Sequence, residues 1–206
     1  MKTTLPGVIA MAALVVLSNI LVQFPIGQWL TWGAFTYPFT FLVTEIVNRL
    51  HGPQAARRVV YFGFAAGVTC SLIGTQIVGD FGPLVTLRIA IGSGVAFLLA
   101  QLLDVAVFDR LRRLEWWKAP FGASALASTL DTTLFFTIAF SASLAWLEPG
   151  NDVSWANGPV ALLGFGPEVP LWMSLGVADW MVKMAIDLLA LLPFRIVINR
   201  HMKKLA

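Results

Sequence analysis

Charge is what this chain has least of. Only 12% of its 206 residues are Asp, Glu, Lys or Arg, about half the roughly 25% of a soluble domain. With 58% hydrophobic residues and a mean hydropathy of +0.79, that scarcity excludes a soluble fold and indicates an integral membrane protein. Cysteine is nearly absent: Cys70, inside an apolar run, permits no disulfide framework and no thiolate metal cluster. The two histidines, His51 and His201, sit at the ends of apolar runs with no HExxH spacing, so no metal ligand set is expected. No serine occupies a GxSxG elbow, and no Walker A sequence is present, so ATP is not the chain's own energy source. Asp104 and Asp131 lack the Gly-x-Gly-Asp context of an intramembrane protease. The sequence therefore predicts no enzyme activity and no cofactor.

What is present is a succession of apolar runs. A span needs about 20 apolar residues, and the length allows about six spans in one transmembrane domain covering 1–206, with no room for a soluble one. The predicted helices run over about 6–24, 30–50, 57–78, 84–111, 117–146, and from the end of the Gly/Pro-rich segment 148–170 to near Pro193. Pro38 predicts a kink in the second. The first run has a single preceding cation, Lys2, no small-residue cleavage site, and Asn19 and Gln23 late in the run; it reads as a retained helix. The segment 148–170 reads as a connector, with a pocket cover as the alternative.

Loop charge orients these spans. Lys2, Arg49, Arg57, Arg58, Arg110, Arg112, Arg113, Lys118, Arg195, Arg200, Lys203 and Lys204 are 12 of the 14 cations and fall on one side; the opposite loops carry Asp80, Glu148, Asp152 and Glu168. This positive-inside pattern predicts an all-α protein of six transmembrane helices with both termini cytoplasmic. The net charge of +3 thus reports cytoplasmic loops, and no nucleic-acid partner is expected. Trp29, Trp32, Trp116, Trp117, Trp146 and Trp172 lie near span ends, as interfacial anchors in contact with lipid.

The polar residues inside the spans are the functional candidates, since hydrocarbon tolerates an ionisable side chain only where it faces protein or water. Thr36, Thr40, Thr44 and Asn48 recur every fourth residue on one helix face, with Glu45 beside them. Glu45 either pairs with Arg49 or, with that face, walls a cavity. Asp131, midway along the fifth span and grouped with Ser124 and Ser128, has no neutralising neighbour on its own helix and requires a partner from elsewhere. Asp179, Lys183 and Asp187 form an i, i+4, i+8 ladder. It acts as a helix clamp or as a relay in which Lys183 also meets Asp131 or Asp104. Gln101 and Asp104 lie in the fourth span, and Arg88 near its outer end either holds the outer loops or snorkels. Gly63, Gly67 and Ser71, and the Gly92-Ser93-Gly94 interruption, suit close helix packing or a homodimer.

The stretches NILVQFPIG, TWGAFTYPFTFLVTEIVNRLHG and PQAARRVVY, followed by QLLDVAVFDRLRR, WWKAP, STLDTTLFFTIAF and the Lys183…Pro193 pairing, resemble the queuosine precursor transporter family, also called the vitamin uptake transporter-like family. The resemblance spans nearly the whole chain apart from 148–170. Many members carry Thr-Asp where this chain has Thr44-Glu45, and Asn-Glu where it has Asn48-Arg49; the first difference keeps a carboxylate and the second reverses a charge.

The resemblance implies a multi-pass importer of the 7-deazaguanine bases preQ0 and preQ1 across the bacterial inner membrane, for queuosine modification of tRNA. A guanine edge offers N–H donors that a carboxylate accepts, which points to Asp131 or Glu45. Asn19, Gln23, Asn48, Gln101 and Lys183 would supply further polar contacts, and Tyr37, Phe41, Phe135 and Phe136 aromatic walls. Asp104, Asp179, Asp187 and Arg88 remain for proton coupling or gating. The alternative is a substrate-capture subunit similar to those of energy-coupling-factor transporters, for a vitamin or nucleobase. Proton coupling and passive facilitation are equally compatible with the sequence.

Overall fold

The computed structural model describes residues 4–79 and 82–205, the side chains of 202–205 excepted. Lys2 and Asp80, and the side chains of Lys203 and Lys204, therefore lie outside the described residues. The protein is mostly helical: α1 (Leu5–Leu21), α2 (Gly33–Thr36), α3 (Phe39–His51), α4 (Pro53–Gln76), α5 (Leu87–Leu111), α6 (Lys118–Phe140), α7 (Ser154–Asn157) and α8 (Leu171–Leu205). Two-residue strands close antiparallel hairpins between α1 and α2 (β1, Pro25–Ile26; β2, Leu30–Thr31) and between α4 and α5 (β3, Val78–Gly79; β4, Gly82–Pro83). A third hairpin (β5, Pro159–Ala161; β6, Glu168–Pro170) precedes α8.

By length and composition α4, α5 and α6 are able to cross a membrane, and α1 is a shorter apolar helix. The surface agrees with a membrane protein. Leu189 is 69% exposed, Leu192 66% and Leu72 60%, while Thr40, Thr44, Asn48, Gln101 and Asp104 are fully buried. That is the inverse of a soluble fold.

Where helix ends depart from the sequence reading, local chemistry accounts for it. The expected second helix is broken into α2 and α3 at Pro38, which has no N–H to give; Thr40 and Phe41 instead donate to the carbonyls of Tyr37 (2.9 Å) and Pro38 (3.0 Å), three residues back. A sharp turn separates α3 from α4, made possible by Gly52 at φ 85° with Pro53 pre-set for the first helical turn. The fifth helix stops at Phe140 rather than Trp146 because Arg88 caps it: its Nε donates to the Ile138 carbonyl (3.0 Å) and its Nη2 to that of Ser141 (2.7 Å). These are carbonyls that a helix end leaves unpaired. Arg88 is fully buried, so it holds the end of α6 and the segment after it and does not snorkel. The last helix passes through Pro193 instead of ending there. Phe194 packs edge-on against Phe108 at 6.0 Å, and Arg195 lies 4.6 Å over the Trp116 ring; these contacts hold the helix beyond the lost hydrogen bond.

The core sits where small residues let helices meet. A Cβ on Gly63 would fall 2.5 Å from Met11 Cγ, and one on Gly67 3.3 Å from Val15. The GxxxG face is thus used inside the chain, for α1 against α4. Gly92 does the same for α5 and α6, facing the Phe135 carbonyl at 3.3 Å.

Candidate functional site

A cavity of about 490 Å³ opens between α1, the first hairpin, the α2–α3 break, α5, α6 and α8. Its walls are largely apolar, with Phe135, Phe136 and Phe140 of α6 and Trp155 of α7 meeting in edge-on and tilted ring contacts. The first hairpin supplies Gln28 and Trp29, and α1 and its end supply Asn19 and Gln23. The Pro38 break brings Tyr37 into the wall two residues before α3 begins.

The polar end of this cavity is a compact ion cluster. Lys183 Nζ lies 2.7 Å from Asp131 Oδ2 and 2.6 Å from Asp179 Oδ2, and donates to Thr132 Oγ1 at 3.1 Å. An ammonium has three N–H donors, and all three have an acceptor here. The Tyr37 hydroxyl donates to Asp131 Oδ1 (2.8 Å) and that of Thr132 to Asp179 Oδ2 (3.0 Å). The ammonium also stands 5.1 Å over the Tyr37 ring, a favourable position for a cation. Burying the ammonium is tolerable because it is paired and each of its donors is hydrogen-bonded.

Of the expected contacts, Asn19, Gln23, Tyr37, Asp131 and Lys183 line this cavity, and Asp179, expected in coupling or gating, joins them. Glu45, Asn48 and Gln101 do not. The polar face of α3 turns instead into its neighbours: Thr44 donates to Gln101 Oε1 (2.6 Å), Gln101 to Thr40 Oγ1 (2.8 Å), and Asn48 to the Val105 carbonyl (3.1 Å). Glu45 accepts from Ser124 (2.6 Å). Arg49 donates to the Arg112 carbonyl at 2.7 Å, so of the two alternatives for Glu45 neither the pair with Arg49 nor a place in the cavity wall is found among the described residues. Phe41 is buried away from the cavity as well.

Of the ladder on α8 the Asp179–Lys183 step forms, and Lys183 also meets Asp131 across the helix interface. Asp187 instead accepts from Ser128 at 3.0 Å. Asp104 is fully buried, and neither of its carboxylate oxygens has a partner among the described residues. Thr132 and Trp155 were not among the expected contacts. Thr132 adjoins Asp131, and Trp155 is the tryptophan of the segment read as a connector.

The family model described as "Putative vitamin uptake transporter" matches residues 31–198. The chain belongs to that family. The matched stretch contains Tyr37, Asp131, Asp179 and Lys183, and begins after Asn19 and Gln23. The chain is 33% identical over 204 residues to the "Queuosine precursor transporter" of Escherichia coli K12, covering 92% of this chain and 83% of that protein. It is 32% identical over 188 residues to the "Probable queuosine precursor transporter" of Haemophilus influenzae, covering 85% and 71% respectively. A protein of the same description in Bacillus subtilis is 26% identical over 185 residues, 80% of this chain and 70% of that one. No solved structure matches. Its family is one of transporters, so the cavity belongs to a membrane transporter and not to an enzyme.

Proposed function

We propose that this chain imports 7-deazaguanine precursors of queuosine across the bacterial inner membrane, and that the base is held in the cavity by Asp131. The observation that carries the reading is a family of transporters combined with a buried carboxylate at the polar end of an aromatic-walled cavity. A flat, donor-rich base matches both features, and the volume lies within the roughly 300–1,000 Å³ of small-molecule sites.

In this reading six spans cross the membrane with both termini in the cytoplasm: α1, α2 with α3, α4, α5, α6 and α8. Two sets of contacts support it. At one end Arg49 reaches the Arg112 carbonyl and Arg195 covers Trp116, joining basic segments. At the other, the Glu148 carboxylate accepts from the backbone of Leu87 and Arg88. The cavity is lined by the first hairpin and Trp155, both from the poorly basic end, which supports an outward-facing state. Asp104, with Glu45 and Asp187 buried outside the cavity, is the group assigned to proton coupling.

The test is uptake of labelled preQ1 into liposomes containing only this protein, with and without a pH gradient. Accumulation above equilibrium that needs the gradient is expected, together with loss of uptake in Asp131→Asn and loss of the gradient dependence alone in Asp104→Asn. Equilibration at any pH would make the protein a facilitator, and binding without flux would make it a capture subunit.

A further inference from the structure

We infer that the cavity selects a base that carries a positive charge, with Asp179 as the residue that reads it. The inference rests on the transport reading above and specifies its substrate class.

Charge balance leads there. Among the described residues lining the cavity, the charged ones are Asp131, Asp179 and Lys183. Two carboxylates against one ammonium leave one negative charge in a largely apolar enclosure, where an unmatched charge is costly. A monocationic ligand cancels it; a neutral one leaves it standing.

Hydrogen-bond capacity gives the same direction. Lys183 has spent its three donors on Asp131, Asp179 and Thr132, so it has none to offer a ligand carbonyl and acts as a positioning residue that holds the two acids. Acceptors, in contrast, are left over. Among the described residues nothing donates to Asp179 Oδ1, and the Asp179 side chain, at 16% exposure, is the most accessible of the three charged groups. Each Asp131 oxygen has one donor and room for a second. The site therefore has unspent carboxylate acceptors and no unspent charged donor. Asp131 meets the N–H edge of the ring, and Asp179 Oδ1 receives an ammonium substituent.

The experiment is calorimetric titration of the purified chain in lipid nanodiscs with two ligands that differ only in the 7-substituent, 7-aminomethyl-7-deazaguanine, a cation, and 7-cyano-7-deazaguanine, which is neutral. The cation is expected to bind about tenfold more tightly or better, the worth of one charge-assisted hydrogen bond. Asp179→Asn is expected to abolish that ratio, whatever it does to the affinity for the neutral base. Equal affinities in the unaltered protein, or a ratio that survives Asp179→Asn, would overturn the inference and leave the transport reading intact. Failure of both ligands to bind would overturn the two together. The comparison in the unaltered protein stands even if the variant does not fold.

Discussion

Lys183 is the side chain on which the cavity depends most, although it has no hydrogen-bond donor left for a ligand. Removing it as Lys183→Met leaves Asp131 and Asp179 as uncompensated buried charges, a change that typically costs about 3–5 kcal/mol. Adding Asp131→Asn removes one of those charges. The double variant is expected to unfold at higher temperature than Lys183→Met alone, measured by thermal denaturation in detergent; a strictly additive loss would show that the two residues are not coupled. At this scale the sequence was partly legible. Asp131 stands at mid-span without a neutralising neighbour, which predicts a partner from another helix, and Lys183 was among the groups within reach. The choice Lys183 makes among four acids depends on how α6 and α8 rotate against each other, and periodicity along one helix cannot carry that information. The same limit explains Glu45, Gln101 and Phe41. Each lies on a helix with an inward face, but which part of the interior it meets is set by packing.

Elements depend on small residues and on prolines, and the two classes differ in how well they can be read. Gly63 lets α4 approach α1 until its missing Cβ would lie 2.5 Å from Met11 Cγ and 3.0 Å from Phe97. Gly63→Val is expected to cost about 1–3 kcal/mol through overpacking. Met11→Ala should restore part of that loss, because the nearest obstruction is a flexible side chain; the comparison is made by thermal denaturation of the single and double variants. The GxxxG spacing made this contact legible as close packing but left open whether the partner was internal or a second copy. Prolines were harder. Pro38 and Pro193 both fall within runs long enough to be helices, and only Pro38 interrupts one. Around Pro193 the aromatic contacts of Phe194 and Arg195 outweigh the missing hydrogen bond, and such contacts come from α5 and the segment after it, far away in sequence.

For the molecule as a whole, the alternation of basic and acidic loops is a sum over many residues that does not depend on any one helix boundary, and the orientation it implies is part of the proposal. It is also directly testable. In a Cys70→Ala background, Gln28→Cys on the first hairpin is expected to react with a membrane-impermeant maleimide added to intact cells, and to be shielded by bound base. Arg113→Cys is expected to react only after the membrane is opened; the reverse pattern would invert the orientation. One further property follows from the length of α8. Its 35 residues extend about 52 Å at 1.5 Å per residue, against a hydrocarbon thickness of about 30 Å. The helix that carries Asp179 and Lys183 is therefore longer than a span requires, and Phe194 and Arg195, beyond Pro193, hold it to Phe108 of α5 and to Trp116. One unbroken helix thus carries both the ion cluster of the cavity and the distant Phe108 and Trp116 contacts, so the two regions share a single rigid element.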